Sequence, residues 1–100
     1  MSNEAKIEAD IQAKGLTAPR LTPEKIDACI SSTDYHVFEG SCLTVCCITL
    51  ANGFTVTGES ACASPENFNL EIGQAIAFEN ARAKIWAFEG YLLREKLHNG

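Results

Sequence analysis

The sequence predicts an α+β domain in which short N-terminal helices precede a three-stranded antiparallel meander, and one long C-terminal helix packs across the sheet. Thr22-Pro23-Glu24 is typical of a helix start, because it joins a capping hydroxyl, a first-turn proline and an early acid. Asn52-Gly53 lies between two β-rich runs and predicts a hairpin. From Leu70 to about His98 no proline occurs, and apolar residues recur at helical spacing.

A further helix is predicted at the N-terminus, capped by Ser2 and running from about Asn3 to Lys14, with Gly15 as its stop. Its apolar stripe is thin, so this helix either needs a partner surface or frays. The stripe consists of Ala5, Ile7, Ala9 and Ile11.

The proline at position 19 makes residues 16–21 a linker. The second helix then runs from Thr22 to about Ser31. We therefore predict an N-terminal helix and linker at 1–21 and a single α+β domain at 22–100.

The strands are predicted at Tyr35–Phe38, Ser41–Leu50 and Phe54–Thr57. If Asn52-Gly53 forms a two-residue loop, Thr49 pairs with Val56. The predicted core face then comprises Val45, Cys47, Thr49, Phe54 and Val56. The opposite face is half apolar, which indicates a second covered surface.

The long helix is predicted to begin after a cap at Asn69 or Asn67, with Phe68 stapling its entry. Its length is about 42 Å at 1.5 Å per residue, whereas a domain of this size is about 30 Å across. The helix is therefore expected to bend near Gly90 or to project into a partner chain.

Length and composition exclude several classes of protein. A chain of 100 residues has room for one core. A net charge of −5 disfavours duplex nucleic acid as a partner. The sequence contains no run of about 20 apolar residues that could form a membrane span, and the polar N-terminus has no secretory signal. We therefore expect a cytoplasmic protein.

The five cysteines are interpreted as free, reduced thiols packed as small apolar side chains. Cys42 and Cys46 are four residues apart, and Cys46 and Cys47 point to opposite faces of a strand, so neither pair predicts a zinc site. No metal or cofactor motif occurs, and neither a phosphate-cradling glycine loop nor a nucleophile motif is present. We therefore expect a protein that is not an enzyme.

The chain from Thr22 to His98 resembles the small tailed-phage proteins named after the gene-49 and gene-66 products of two podophages. The matching residues are Thr22-Pro23, Tyr35-His36, Leu50-Ala51-Asn52-Gly53-Phe54, the block from Gly58 to Phe68, Ile72-Gly73, Ala81, Ile85-Trp86 and Glu89-Gly90-Tyr91-Leu92-Leu93.

In size and layout the chain is also similar to the phage sponge proteins that counter Thoeris defence. That resemblance implies an anti-defence protein of the host bacterial cytoplasm, which sequesters cyclic ADP-ribose isomers, and in some cases cyclic oligonucleotides, without cleaving them. It also implies a homodimer or higher oligomer with ligand sites between chains.

A nucleotide sponge needs an aromatic ring for stacking, cations for phosphate, and amides or hydroxyls for base and ribose edges. The candidate ligand-binding residues are Phe68, Asn67, Asn80, Arg82, Arg94 and Tyr35. Gly58 would let a ligand or a second backbone approach closely.

Each candidate has a structural alternative. Phe68 is also placed as a hydrophobic staple, Asn67 as a turn residue, and Arg82 on a solvated helix face. Arg94 suits the C-terminal end of a helix dipole, and Tyr35 either stacks on a base or packs against the long helix. The alternative function is a phage accessory protein that acts through contact with a host or virion protein.

Overall fold

The fold is an antiparallel sheet covered on one face by a long helix, as seen in a computed structural model that describes residues 3–100. The elements in chain order are α1 (Glu4–Ala13), α2 (Pro23–Ala28), β1 (Ile30–Val37), β2 (Thr44–Leu50), β3 (Thr55–Ser60), a 3-10 turn (Pro65–Asn67) and α3 (Leu70–Asn99). The sheet order is β1-β2-β3, so the predicted α+β fold class is confirmed.

The predicted caps of α2 and α3 are confirmed by hydrogen bonds. Thr22 Oγ1 accepts from the Lys25 N–H at 3.2 Å, and Asn69 Oδ1 accepts from the Ile72 N–H at 3.0 Å. The predicted cap at Ser2 lies outside the described residues. In the part of the chain that is described, no helix is both long enough and apolar enough to cross a membrane.

The predicted end of α2 near Ser31 is wrong. α2 ends at Ala28, and β1 begins two residues later with Ile30 opposite Leu50. The Cys29 carbonyl accepts from the Ala51 N–H at 2.9 Å, which ties this corner to the end of β2. Ile30 and Ser31 therefore belong to the sheet, although local propensity predicted them in the helix.

The predicted hairpin between β2 and β3 is present, but its loop has three residues rather than two. The Gly53 N–H donates to the Leu50 carbonyl at 2.9 Å, and the Leu50 N–H donates to the Phe54 carbonyl at 2.7 Å. Gly53 has a φ of 90°, the left-handed conformation typical of a three-residue hairpin loop. Ile48, not Thr49, consequently faces Val56.

This shift by one residue reverses the predicted core face. Side chains alternate along a strand, so moving the register by one exchanges the two faces. The predicted face is wrong for Val45, Cys47 and Thr49 of β2. Val56 is buried as predicted, and Phe54 lies on the same face as Val56, where it contacts Phe88 of α3 but remains 52% exposed. The residues buried along the two strands are Thr44, Cys46, Ile48, Leu50, Val56 and Gly58.

α3 lies on this buried face at unusually short range. A Cβ placed on Gly58 would lie 2.2 Å from the Ala81 backbone nitrogen and 2.4 Å from the Ala77 carbonyl oxygen. Ala77, Ala81 and Ile85 of α3 are fully buried against the sheet. Gly58 therefore admits a second backbone, which is one of the two roles that the sequence left open.

α3 is one continuous helix of 30 residues, about 45 Å long. Gly73 lies beside Thr44 at the start of β2, and Phe88 packs edge-on against Phe54 at the hairpin, with ring centroids 5.1 Å apart. The remaining turns continue past the hairpin, where Tyr91 is 74% exposed. The principal extents of the chain are 51 × 30 × 17 Å.

Candidate functional site

A small pocket lies where β3 leaves the sheet and α3 begins. Its volume is about 110 Å³. It is lined by Cys42, Ser60, Ala61, Cys62, Asn67, Phe68, Asn69, Ile72, Gly73 and Ile76. Two of the six predicted ligand-binding residues, Asn67 and Phe68, are therefore in one place.

The 3-10 turn positions these two side chains. The Asn67 N–H donates to the Ser64 carbonyl at 2.9 Å, and the Phe68 N–H donates to the Pro65 carbonyl at 3.1 Å. Pro65 suits the first turn because it has no N–H that needs a partner. Phe68 then adopts an extended backbone and stays 37% exposed at the pocket.

The pocket offers stacking and hydrogen-bonding groups but no cation. Ser60 supplies a hydroxyl, Asn67 an amide, Phe68 an aromatic face and Ile72 an apolar wall. Glu71 lies in the first turn of α3, where it complements the helix dipole and opposes a bound anion. Alone, this pocket suits an aromatic or apolar group with polar edges rather than a phosphate.

Tyr35 lies on β1, opposite Cys46 and on the face of the sheet that α3 covers. It is 40% exposed and does not line the pocket. Burial raises the pKa of the Tyr35 hydroxyl, so the side chain remains a neutral phenol at physiological pH.

Asn80 ties α3 to the last strand. Its Nδ2 donates to the Glu59 carbonyl at 2.8 Å, across the close contact between α3 and β3. To bind a ligand through this amide, the protein would have to release that backbone bond.

Arg82 forms a cluster that holds α1 against α3. It donates to both carboxylate oxygens of Glu4, at 2.6 and 3.0 Å, to Asp27 Oδ1 at 2.8 Å and to the Pro23 carbonyl at 3.2 Å. The hydrogen bonds to Glu4, and then those to Asp27, raise the pKa of Arg82 although burial opposes this. Trp86 Nε1 also donates to Glu4 at 3.2 Å, so the guanidinium serves as a structural tie.

Arg94 is exposed near the far end of α3, and it forms no ion pair within residues 3–100. From Leu70 to Arg94 the helix rises about 36 Å. Within one chain, therefore, Arg94 lies far from the pocket that contains Phe68. The six candidate residues do not converge in a single copy.

Two larger hollows border the N-terminal segment. One of about 390 Å³ lies along the linker and includes Arg20 and Lys25, and one of about 280 Å³ lies between α1 and Trp86. The cations of the first are engaged, since Arg20 pairs with Glu8 at 2.7 Å and Lys25 Nζ donates to the Arg20 carbonyl at 2.9 Å. Neither larger hollow contains a predicted ligand-binding residue, so we take the smaller pocket, which contains Asn67 and Phe68, as the candidate site.

Sequence reasoning did not place the other eight lining residues among the ligand-binding candidates, and these include Cys42, Cys62, Ile72 and Ile76. The cysteines were treated as isolated apolar residues, although correct strand register would have placed Cys42 opposite Cys62. The two isoleucines contribute to the helical spacing, which indicates a helix but not which residues line a pocket; they are 60% and 46% exposed. A register derived from a three-residue loop is the signal that could have found the cysteine pair.

Comparison with protein families supplies the identification. Residues 21–97 match the Phage protein (N4 Gp49/phage Sf6 gene 66) family. The chain belongs to this phage protein family. The matched region includes α2, the sheet, the pocket and nearly all of α3, and it begins after α1. Separate searches of curated proteins and of solved structures found no significant match.

Proposed function

We propose that this phage protein acts in the host bacterial cytoplasm as a non-catalytic anti-defence protein that binds and sequesters cyclic nucleotide immune signals. The ligands proposed are cyclic ADP-ribose isomers and cyclic di- and trinucleotides. The supporting observation is the pocket that places Phe68 beside Ser60 and Asn67. An aromatic face stacks on a purine, while a hydroxyl and an amide suit base or ribose edges. Such a role requires no nucleophile and no general base.

The size and charge of the pocket support a site completed by a second copy of the chain. A pocket of about 110 Å³ is smaller than the roughly 300–1,000 Å³ typical of small-molecule sites, so one chain holds part of a nucleotide at most. Its lining also lacks a cation for phosphate. Both deficits would be met if a partner supplied a wall and an arginine.

The exposed face of α3 offers a surface through which a second copy could supply the wall and the arginine. Ile72, Ile76, Ala83 and Ala87 recur at spacings of four, seven and four residues, and all are exposed. This spacing forms a stripe along one helix face, and its alanines permit close helix contact.

An antiparallel pairing of two α3 helices centred on Ala83 would bring the missing charge to the pocket. Ile72 is 11 residues before Ala83, and Arg94 is 11 residues after it. In such a pair, Arg94 of the partner subunit lies beside Ile72, which lines the pocket. The proposed function therefore includes a homodimer or a higher oligomer built from such dimers.

Calorimetric titration with a panel of cyclic ADP-ribose isomers and cyclic di- and trinucleotides tests the proposal. Each ligand is recovered afterwards and its integrity checked by chromatography. We expect tight binding with intact ligand. Absence of binding by a folded oligomer to every member would contradict the sponge function, and recovery of a cleaved ligand would contradict its non-catalytic character.

Two variants test the composition of the site. Phe68→Ala should weaken binding about 5- to 150-fold, which corresponds to the loss of one base–aromatic stack of about 1–3 kcal/mol. Arg94→Ala should weaken it by a similar factor if the partner's arginine reaches the phosphate. Lys96→Ala removes an exposed cation two residues further on and serves as the control. Equal effects of Arg94→Ala and Lys96→Ala would indicate general charge rather than a defined contact.

Light scattering tests the pairing of α3 directly. Ala83→Glu places two like charges at the centre of the proposed helix pair, so the assembly should fall to a smaller mass and lose ligand binding together. Lys84→Glu, at the neighbouring exposed position, is the matched control. An unchanged mass in Ala83→Glu would contradict this mode of pairing.

The alternative function, an accessory protein that binds a host or virion protein, is favoured by one feature. Beyond the hairpin, α3 exposes 74% of Tyr91 and 42% of Leu92. Exposed aromatic residues are enriched at protein interfaces. If the nucleotide panel gives no binding, a pull-down from infected cells that is lost in Tyr91→Ala would support this alternative.

A further inference from the structure

The strand register brings Cys42 and Cys62 to the same point at the end of the sheet. In the β2–β3 ladder Cys46 faces Gly58 and Thr44 faces Ser60. Thr44 and Ser60 are the last paired residues, and continuing the register by two residues beyond them would place Cys42 opposite Cys62. Directly opposed residues of antiparallel strands have Cβ atoms about 4.5–5.5 Å apart, and a disulfide needs about 3.5–4.5 Å. A small movement of the two strand ends toward each other is sufficient to form the bond.

Two further observations place the thiols together. Both cysteines line the same pocket, and both are half-buried free thiols. Hydrogen bonding with the Cys62 thiol, followed by burial, raises the pKa of the Cys42 thiol, and the negative charge of Glu66 adds to this. This effect of the Cys62 thiol on the pKa of Cys42 agrees with their shared position in the pocket.

The other three cysteines have no comparable partner. Cys46 is buried and faces a glycine, whereas Cys47 faces Thr57 from the opposite side of the strand. Cys29 lies at the end of α2, where its thiol donates to the Lys25 carbonyl at 3.2 Å. Among the five thiols, the register opposes Cys42 and Cys62 alone.

We propose that Cys42 and Cys62 form a reversible disulfide that joins the entry of β2 to the exit of β3 and becomes a wall of the pocket. The oxidant is a low-molecular-weight disulfide of the glutathione class. One cysteine thiolate attacks a sulfur of that disulfide and displaces one thiolate, which leaves a mixed disulfide. The second cysteine thiolate then attacks the protein sulfur and displaces the other. Two protein thiols are oxidised, one disulfide is reduced to two thiols, and the protons lost by the cysteines end on those thiols.

The consequence is a crosslink at one end of the pocket. The bond closes residues 42–62 into a ring and fixes the start of the segment that leads to Phe68. Because a crosslink restricts the unfolded chain, the oxidised protein should be the more stable form. This inference stands on the register and the pocket lining, and it does not depend on what the pocket binds.

Equilibration of the full chain in buffers of increasing oxidised-to-reduced glutathione ratio tests the proposal. The readouts are the thiol count after alkylation and the intact mass. We expect two of the five thiols to be lost together, with a mass decrease of two hydrogens and no attached glutathione. The melting temperature should rise by about 5 °C or more, and excess reductant should restore the original value.

Peptide mapping locates the Cys62 end of the bond, and the cysteine variants then identify its partner. All five cysteines lie between Lys25 and Arg82, with no lysine or arginine among them, so trypsin leaves them on one peptide. A protease that cuts after glutamate separates residues 40–59 from residues 60–66. A disulfide-linked pair of these two peptides is the expected product, because Cys62 is the sole cysteine of the second.

Cys42→Ser and Cys62→Ser should each form no internal disulfide and instead collect one glutathione as a mixed disulfide. Cys47→Ser, on the same strand as Cys46 but facing away from the pocket, should retain the internal bond and the rise in melting temperature. Circular dichroism confirms that each variant is folded. The proposal is overturned if the wild-type chain keeps five thiols at every ratio, if it forms only bonds between chains, or if Cys47→Ser abolishes the internal bond.

Discussion

Helices α1 and α3 are attached to the molecule by contacts of opposite kinds. α3 meets the sheet by backbone packing so close that Gly58 has no room for a Cβ atom. α1 has no buried residue and is held through the pairs Glu4–Arg82 and Glu8–Arg20. Close packing fails when atoms are added, whereas ion pairs weaken with salt or acid. The sheet and α3 therefore form one unit, and α1 is a detachable addition to it.

Gly58→Ala should have the largest effect of the changes that separate these two attachments. The new methyl group would meet the backbone of Ala77 and Ala81 rather than a movable side chain. We expect a loss of about 3 kcal/mol in the free energy of unfolding, measured by urea denaturation. Gly90→Ala is the control, because its Cβ would lie 3.9 Å from Leu21 Cδ1 and alanine favours a helix by up to about 1 kcal/mol. Equal stability of the two variants would contradict the close packing.

Arg82→Ala should have an intermediate effect, confined to the attachment of α1. It removes the side chain that joins Glu4 and Asp27, and we expect a loss of about 1–2 kcal/mol because the cluster is only partly buried. Trp86 is the sole tryptophan and bonds to Glu4, so its fluorescence should shift to the red as α1 leaves. Lys84→Ala, at an exposed position of the same helix, is the control.

A chain restricted to residues 21–100 sharpens the same comparison and tests the predicted boundary at residue 21. It should fold without α1. In that chain Arg82→Ala should cost less, because Glu4 is gone. An equal cost in both chains would show that the arginine stabilises the sheet and α3 rather than the docking of α1.

Acid should produce the smallest effect. The hydrogen bond from Arg20, with a second from Gln12, lowers the pKa of Glu8 to about 2 from its usual 4.5. A carboxylate with a lowered pKa stabilises the docked state fully above about pH 4.5, and this stabilisation is lost as the pH falls toward 2. Trp86 emission, followed over this range, should report partial release of α1. In Glu8→Gln, the part of the change in Trp86 emission that is due to the Glu8–Arg20 ion pair should be absent. Identical emission curves against pH in both proteins would contradict the prediction.

The parts of the fold that depend on local backbone chemistry were predictable from the sequence. The caps at Thr22 and Asn69 and the turn at Asn52-Gly53 each follow from a side chain or a backbone preference acting over a few residues. The face of the sheet was not predictable in this way, because both faces of β2 are apolar enough to be a core. Ala51 belongs to the loop, which makes the loop three residues long and determines which face of β2 is buried.

The buried stripe of α3 escaped prediction for a different reason. Hydrophobicity ranks Ile72 and Ile76 above Ala77 and Ala81, yet the alanines are buried and the isoleucines exposed. The close approach at Gly58 selects small residues for the contact, and that constraint comes from another element. The candidate site shows the same limit. Asn67 and Phe68 are neighbours in sequence and share a pocket, whereas Arg82 pairs with Glu4 of α1, a contact between distant residues that no local pattern predicts.

The turns of α3 that extend past the hairpin also determine how the molecule moves through solution. Its radius of gyration is 16.3 Å, against about 13 Å for a compact chain of 100 residues, and its longest dimension is three times its thinnest. A rod-like particle experiences more hydrodynamic friction than a sphere of equal mass. A single copy will therefore elute early from a sizing column and tumble slowly about its short axes. Elution volume alone would report a monomer as a larger species, and a count of subunits must come from mass.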